Sequence, residues 1–284
     1  MAESIYWVDP DGGCLKLFDS TACTDTEHYT ILDGTEGLFM PDFDFTTERV
    51  YSLDGELIRG VSTKPRKVVM PLMVRGSTST EFMQNLRTLL YAMNPKRGFG
   101  HIKVYTVDGK TRALPCRFLE SPIVDSASTG KYTASTVASK EWRKFPITLY
   151  VPNPYWYDLS EKEVKVSYTS LGYPLKLTND GDTLAYPIWS IGGPMNFVEV
   201  YNETTGKLIY LTLTMASYDT LYIDTRPLMK GILLNHSTNE FAKLSTDSTL
   251  YPFVPGANKI NITMSAATTY SEIRVRWIEY YLGV

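Results

Sequence analysis

Alternation of apolar and polar residues with a period of two runs through most of this chain and limits the class of fold it can adopt. Such alternation is typical of strands that bury one face, because successive side chains point to opposite sides of a strand. Two clear examples are Phe145, Ile147, Leu149 and Val151, and Ile273, Val275 and Trp277. Asp-Gly pairs favour tight turns between such strands; they occur at Asp54-Gly55, Asp108-Gly109 and Asp180-Gly181. The pattern predicts a mainly β, mostly antiparallel protein.

One segment departs from this alternation, TSTEFMQNLRTLLYAMNP from Thr78 to Pro95. Thr78 and Glu81 have the spacing of a capping box, and Asn94-Pro95 ends the segment because a residue before proline avoids the α region. These signals predict one α-helix over residues 79–93. Its apolar residues recur at helical spacing and predict packing against a sheet; they are Phe82, Leu86, Leu89, Leu90 and Met93.

The stretch VPNPYWYD, residues 151–158, separates the part of the chain with the helix from a second series of alternating stretches. Its two prolines remove hydrogen-bond donors and fix φ, so a sheet cannot run through them. We therefore expect two domains, 1–152 and 153–284, with three aromatic residues packed in the seam between them, Tyr155, Trp156 and Tyr157. A long loop within a single sandwich is the alternative.

Composition excludes several classes of function. The 284 residues carry a formal charge of −3, which argues against a protein that binds nucleic acid through many phosphate contacts, although a local basic patch stays open. No apolar run is long enough to span a bilayer, and the N-terminal residues lack the pattern of a signal peptide, so we expect a soluble chain made in the cytoplasm. The three cysteines, Cys14, Cys23 and Cys116, form no CxxC pair, so we expect buried thiols.

The sequence contains no convincing catalytic or cofactor motif. Its three histidines, His28, His101 and His236, are far apart and belong to no metal-binding pattern. Asp42 and Asp44 have strand spacing and could form an acid pair. Carboxylates with this spacing more often lie on the solvent-exposed side of a strand. We expect no catalytic residue, no metal site and no cofactor.

The segment from Phe45 to Arg66 is polar and turns at Asp54-Gly55, which predicts a projecting hairpin. A hairpin without a covered face is marginally stable, and a neighbouring copy of the chain is the natural cover, because edge strands pair readily and heterologous contacts can close a ring. An ordinary solvated hairpin is the alternative. The candidate interface residues are Glu48, Arg49, Tyr51, Asp54, Glu56, Arg59, Lys64 and Arg66.

The order of these features resembles the distal tail proteins of phages with long non-contractile tails. GVSTKPRKVVMPLMVRGS, the capped helix and NPKRGFGHIKVYTVDGKTRALPCRFLESP resemble the first domain of that family, and VPNPYWYD resembles its passage between domains. TNDGDTLAYPIWSIGGP and DSTLYPFVPGANKI resemble the turns of its second domain. The insertions that bind carbohydrate in some members are absent from residues 155–284.

The resemblance implies an N-terminal β-sandwich with one α-helix and a projecting hairpin, followed by an outer, galectin-like β-sandwich. It implies a homo-hexameric ring at the tail tip of the virion, with the tail tube protein above it and a hub or receptor-binding protein below. The hairpin would embrace the adjacent subunit. Genome DNA would pass through the pore without specific binding, and we expect an acidic or neutral lining, with Asp42, Asp44 and Glu48 as the candidate residues. No membrane contact is implied.

Two other functions fit parts of the sequence. A carbohydrate-binding adhesin would use exposed aromatic residues to stack on sugar rings, and the candidates are Trp189, Tyr201 and Tyr222. A hydrolase that acts on the cell wall would need a pair of carboxylates that the sequence does not place.

Overall fold

The computed structural model describes residues 4–19, 28–51, 54–120, 142–167 and 174–284. The chain divides into two compact units, one formed by Met1–Tyr157 with Leu282–Val284 and the other by Asp158–Tyr281. The chain thus leaves the first unit at Tyr157 and returns to it for its last three residues, whereas the sequence placed a single boundary after residue 152. The ring-forming and outer roles predicted for the two parts stay predictions.

The first unit consists of one α-helix and a series of antiparallel strands. Its helix α1 spans Ser79–Ala92, and a short 3-10 turn follows at Pro95–Arg97. Its strands are β1 (Ser4–Val8), β2 (Cys14–Asp19), β3 (Tyr29–Ile31), β4 (Phe43–Glu48), β5 (Leu57–Thr63), β6 (Arg66–Arg75), β7 (Gly100–Tyr105), β8 (Thr111–Glu120) and β9 (Trp142–Val151). Hydrogen bonding joins them in the order β2-β1-β7-β8-β9-β6-β3, and β4 pairs with β5.

Strand β8 is shared by two parts of this arrangement. Its first part, Thr111 to Cys116, pairs with β7, and its last part, Arg117 to Glu120, pairs with β9 across a bulge. A strand that changes partners at a bulge is how a β-sandwich turns a corner. The mainly β fold with an α-helix that the sequence predicted is confirmed.

Alternation in β6 and β9 buries one continuous face of the first unit. Their register places Val68 opposite Leu149 and Met70 opposite Ile147, and these side chains are almost completely buried. Cross-strand apolar pairs of this kind stabilise a sheet. The apolar residues that alternate in the sequence of β6 and β9 therefore form part of the core of the first unit.

The capping prediction for α1 is confirmed at its N-terminus. The Thr78 hydroxyl accepts a hydrogen bond from the Glu81 N–H at 3.2 Å. The Glu81 carboxylate accepts one from the Ser77 N–H at 2.7 Å, one residue earlier than in a capping box. The hydrogen bond from Ser77 also lowers the pKa of Glu81.

The buried stripe of α1 is narrower than the sequence predicted. Phe82, Leu89 and Met93 are buried as expected, but Leu90 is 57% exposed. Three hydrogen bonds attach the helix to the sheet: the Trp7 indole donates to the Ala92 carbonyl at 3.0 Å, the Tyr29 hydroxyl to the Asn85 carbonyl at 2.9 Å, and the Asn85 side-chain amide to the Arg75 carbonyl at 2.9 Å. Because these contacts fix the rotation of the helix, the Leu90 position faces away from the buried side.

The chain passes from the first unit to the second within β10 (Trp156–Asp158). The strands that follow are β11 (Lys162–Ser167), β12 (Leu175–Asn179), β13 (Ile188–Gly192), β14 (Met195–Asn202), β15 (Lys207–Met215), β16 (Thr220–Asp224), β17 (Gly231–Leu234), β18 (Thr238–Asn239), β19 (Gly256–Met264), β20 (Glu272–Trp277) and β21 (Tyr280–Tyr281). One sheet has the order β11-β20-β13-β16-β17-β18 and the other β12-β19-β14-β15, and one buried cluster takes side chains from both sheets. This is a two-sheet sandwich.

Aromatic residues form the centre of that core. Phe253 makes edge-to-face contacts with Trp189 and Trp277, at centroid separations of 6.0 and 5.5 Å. The Tyr251 hydroxyl donates to the Val200 carbonyl at 3.2 Å, and Asn258 binds the backbone of Val254 through both side-chain polar atoms. The stretch DSTLYPFVPGANKI therefore inserts its aromatic residues between the sheets before β19 begins.

A buried arginine organises the first unit. Arg66 begins β6, and its side chain donates to the carbonyls of Gly37 at 3.1 Å, Phe39 at 2.5 Å, Leu282 at 2.9 Å, and Pro154. Burial lowers the pKa of this guanidinium to about 10, so it remains charged at neutral pH. Planar guanidinium with its five donors suits this role better than the ammonium of lysine.

Replacing Phe253 by Ala should lower the free energy of unfolding of the second unit by about 3–5 kcal/mol, because the cavity forms among fully buried rings. Thermal and urea unfolding of the full chain would measure this. Tyr218→Ala is the matched control, since Tyr218 is 98% exposed and its loss should change stability by less than about 0.5 kcal/mol. Equal stability of the two variants would contradict the core described above.

Replacing Arg66 by Met should destabilise the first unit by about 3 kcal/mol, because it leaves the buried Pro154 carbonyl and the partly buried carbonyls of Gly37, Phe39 and Leu282 without this donor, and a buried acceptor without a partner costs on the order of 1–3 kcal/mol. Arg66→Lys should fall between the wild type and Arg66→Met. Urea unfolding followed by tryptophan fluorescence would report it, and Lys67→Met, at the next and exposed position of β6, is the control. The role of Arg66 is refuted if the two Met variants unfold at the same urea concentration.

Candidate functional site

Strands β4 and β5 form a two-stranded ribbon; among the described residues they pair only with each other. Their register places Phe45 opposite Val61 and Asp44 opposite Ser62, with a bulge after Thr46. The hairpin predicted over residues 45–66 is therefore present, with strands at Phe43–Glu48 and Leu57–Thr63.

The ribbon has one apolar face, and that face is exposed. Phe45 and Val61 are cross-strand partners, and Ile58 pairs with Thr47 on the same side of the ribbon. Their exposed fractions are 53% for Phe45, 57% for Val61 and 61% for Ile58. An isolated ribbon gains stability mainly by covering an apolar face, so this surface is suited to contact another molecule.

The opposite face of the ribbon is polar apart from Leu57, which pairs with Glu48. Arg59 pairs with Glu48 at 2.5 Å and Lys64 with Asp44 at 3.3 Å. About half or more of each of these four side chains is exposed. Exposed pairs of this kind contribute about 0–1 kcal/mol each, so they favour the observed register without fixing it.

The predicted pore-lining residues Asp42, Asp44 and Glu48 all lie at the surface of the hairpin or its base. Two of their carboxylates face cations of the same hairpin, as described above, so their local charge is largely balanced. Their position in a pore stays a prediction.

The remaining interface candidates divide into two groups. Arg49, Tyr51, Asp54 and Glu56 lie at the exposed tip, next to Ser52 and Leu53, which are outside the described residues. Arg66 does not belong to the hairpin. It is 5% exposed, and its guanidinium donates to carbonyls of its own unit, so its contact with a neighbour stays a prediction.

Sequence reasoning missed the apolar segment that leads into β4. Phe39 and Met40 are 73% and 65% exposed, which adds apolar surface near the base of the ribbon. The run GLFM before Pro41 was the signal for it, but an apolar run in a sequence is more often buried than exposed.

The three aromatic residues predicted for a domain seam make contacts inside the first unit. The Tyr155 hydroxyl and the Thr63 hydroxyl at the end of β5 lie 2.8 Å apart. The buried Trp156 donates its indole N–H to the Leu38 carbonyl at 2.9 Å, and Tyr157 makes an edge-to-face contact with His101. Tyr155 and Trp156 therefore hold the base of the hairpin. Their placement in a seam stays a prediction.

The titratable groups considered as catalytic or metal-binding candidates are dispersed. His28 lies 3.7 Å from Glu81, and His236 stacks on Tyr222. Burial raises the pKa of the Cys116 thiol to about 12; Cys14 is exposed, contrary to expectation, and Cys23 lies outside the described residues. Within the ranges that the structure describes, no group of three or more His, Cys, Asp or Glu could hold a metal ion.

The same ranges contain no helix with the length and apolar character needed to cross a membrane.

One candidate for sugar stacking is wrong. Trp189 is completely buried because β13 turns it into the core against Phe253. Tyr201 is 36% exposed on β14, and Tyr222 lines a surface depression of the other sheet.

Comparisons with known proteins bear on the whole chain. Residues 180–281 match the family described as the siphovirus-type tail component, C-terminal domain. The crystal structure of the Dit protein of phage SPP1, described as a paradigm of the hub adsorption apparatus in phages that infect Gram-positive bacteria, has a similar fold. That similarity has a TM-score of 0.69 and 13% identity, and covers 99% of both chains.

A chain of the activated baseplate of phage P2 with calcium is also similar, with a TM-score of 0.50 and 8% identity over 100% of both chains. No curated protein matches the chain in sequence. The solved structures support the fold, and the match over residues 180–281 supports the family. The resemblance to the distal tail proteins of phages with long non-contractile tails, which the sequence motifs predicted, is therefore confirmed.

Proposed function

We propose that this protein is a structural hub of a phage tail, and that six copies form a ring joining the tail tube to the tip or host-recognition apparatus. The observation that carries the proposal is the exposed apolar face of the β4–β5 ribbon, formed by Phe45, Ile58 and Val61. The family match over residues 180–281 supports a tail component. The fold shared with the SPP1 hub protein supports the place of the chain in such an assembly.

The apolar face of the ribbon packs on a neighbouring copy of the chain. A contact between a hairpin on one subunit and a different surface on the next is heterologous, and such contacts close a ring when the rotation between subunits allows it. In such a ring each subunit covers the ribbon of one neighbour, and its own ribbon is covered by the other neighbour. Few strand edges then stay free. The number six comes from the resemblance to the distal tail proteins.

Attachment of the hairpin base favours this role. Thr63 and Tyr155 join the end of β5 to the chain near residue 155, and Arg66 holds the segment before β4 through Gly37 and Phe39. A ribbon held at its base presents its apolar face in a defined direction, so less entropy is lost when the neighbour binds.

The remaining partners follow from the family resemblance. The tail tube protein binds above the ring and a hub or receptor-binding protein binds below it, within the virion. DNA passes through the opening without specific contacts, and ion pairing of Asp44 and Glu48 on the hairpin keeps the local charge near neutral. Catalysis has no part in this function.

Replacing Phe45, Ile58 and Val61 together by Ser should leave a folded monomer. Each side chain is about half exposed in the single chain, so burial at an interface is worth roughly 1 kcal/mol apiece. The loss of about 3 kcal/mol per contact weakens association by roughly 100-fold. Light scattering after size exclusion would give the mass, and the unfolding temperature would show that the fold is intact.

The matched control changes the polar face of the same ribbon, with Asp44→Ser and Lys64→Ser. It should still form rings, because an exposed ion pair contributes little. Persistence of the ring in the triple variant would refute the role of the apolar face. A wild-type protein that stays monomeric at high concentration would refute ring formation itself.

Deleting Glu48 to Lys64 is a coarser test of the same interface. It should also give a folded monomer, because β4 and β5 pair only with each other in the described structure. The strand pairing of the other sheets does not depend on them. Negative-stain images should show six-fold particles with an open centre for the wild type and none for the deletion. Hexamers formed by the deleted chain would rule out the hairpin as the connector.

A further inference from the structure

One row of side chains on the surface of the first unit alternates between cations and aromatic rings. The register of the sheet places Lys67 on β6 opposite Tyr150 on β9, and Tyr150 opposite Arg117 on β8. Cross-strand partners point to the same face of a sheet, so these three side chains lie side by side. Phe99, the residue before β7, continues the row next to Arg117.

All four members of this row, which we call the cation–aromatic row, are open to solvent. Lys67 and Arg117 are exposed, and the exposed fractions of Tyr150 and Phe99 are 39% and 40%. Neighbouring strands lie about 4.8 Å apart, so the row crosses the sheet over roughly 14 Å. A ligand can therefore reach two cations with an aromatic ring between them.

The two cations of the row are not neutralised by carboxylates. In the part of the chain that the structure describes, neither Lys67 nor Arg117 forms an ion pair. Other cations of the chain face carboxylates, as in the pairs Arg59–Glu48, Lys162–Asp180 and Arg276–Glu161. The row therefore keeps two positive charges, although the formal charge of the chain is −3.

The row is largely ordered before a ligand binds. The Arg117 guanidinium lies over the Phe99 ring, 4.1 Å from its centroid, and this cation–π contact restricts the arginine side chain without cancelling its charge. Lys67 and Tyr150 belong to β6 and β9, which pair over the full length of both strands. Less entropy is lost on binding when the contacting groups are already held in place.

This chemistry selects among classes of ligand. A neutral ligand would leave both charges of the row uncompensated, and a small anion would use the cations without the ring. A single strand of nucleic acid offers phosphates and unpaired bases in alternation. Proteins that bind single strands without sequence preference combine cations for the backbone with aromatic side chains for the bases, and several RNA-binding domains stack bases on a sheet surface.

We infer that the cation–aromatic row binds single-stranded nucleic acid without sequence preference. Lys67 and Arg117 each bind a phosphate, a base stacks on Tyr150 between them, and Phe99 holds the guanidinium in place. Two phosphate contacts are few, which agrees with the acidic composition of the chain.

The row belongs to the first unit and shares no residue with the apolar face of the ribbon. In a phage tail it would contact an unpaired stretch of the nucleic acid that passes the hub. That role rests on the proposed function, whereas the binding itself does not.

Fluorescence anisotropy of a fluorescein-labelled hexathymidylate, titrated with the full-length chain at low salt, tests this inference. We expect saturable binding that weakens as salt is added. The logarithm of the association constant should fall against the logarithm of the salt concentration with a slope of about −1.4, because each phosphate neutralised on a single strand contributes about −0.7.

Two variants separate the two kinds of contact. Arg117→Gln removes one phosphate contact and should reduce the slope to about −0.7. Tyr150→Ala removes the stacking surface, so it should weaken binding at least about 5-fold and leave the slope unchanged. Lys176→Gln and Tyr218→Ala are the matched controls, because both residues are exposed in the second unit, and these variants should bind like the wild type.

Four results would overturn the inference: no saturable binding of hexathymidylate, equal loss in Arg117→Gln and Lys176→Gln, unchanged binding in Tyr150→Ala, or equal competition by an abasic oligomer of the same length. Duplex DNA should also compete more weakly than the single strand, because its bases are stacked inside. Unfolding temperatures would show that each variant is folded, and Lys67→Gln should lower the slope in the same way as Arg117→Gln.

The triple Ser variant of the hairpin keeps the cation–aromatic row intact and should bind hexathymidylate like the wild type. Failure of nucleic-acid binding is thus distinguishable from failure of ring formation.

Discussion

The buried guanidinium of Arg66 is the interaction on which the first unit depends most. It lies at the start of β6, directly after the hairpin, and its donors reach carbonyls from three separate parts of the chain, near residues 37–39, at Pro154 and at Leu282. A charge this deeply buried is costly unless it is hydrogen-bonded, and here both terminal nitrogens of the guanidinium donate to carbonyls. The entry to the hairpin and the exit from the first unit are therefore held at one point.

Because its base is fixed, the exposed ribbon presents its apolar face in a defined direction. A mobile polar loop would not keep Phe45, Ile58 and Val61 on one face, whereas cross-strand pairing and the Thr63–Tyr155 contact do so. The first unit thus offers an exposed apolar surface suited to contact with another protein.

Much of the fold was predictable because it follows from local rules. The period of two predicted the strands, and Thr78 with Glu81 predicted the start of the helix. Tertiary context decided what local rules could not. Leu90 fits the helical stripe yet is exposed, and Trp189 was proposed for sugar stacking yet lies in the core, because alternation shows that two faces exist without showing which one is covered. The burial of Arg66 depends on carbonyls far away in sequence, and no local pattern signals it.

The last three residues of the chain belong to the first unit, where the Leu282 carbonyl meets Arg66 and the Gly283 carbonyl accepts a hydrogen bond from Arg112 at 3.3 Å. During translation these carbonyls emerge from the ribosome after the whole second unit. The second unit, continuous from Asp158 to Tyr281, can complete its fold first, although domains usually fold in the order of synthesis. The first unit therefore makes these two hydrogen bonds only after residues 158–281 have been synthesised.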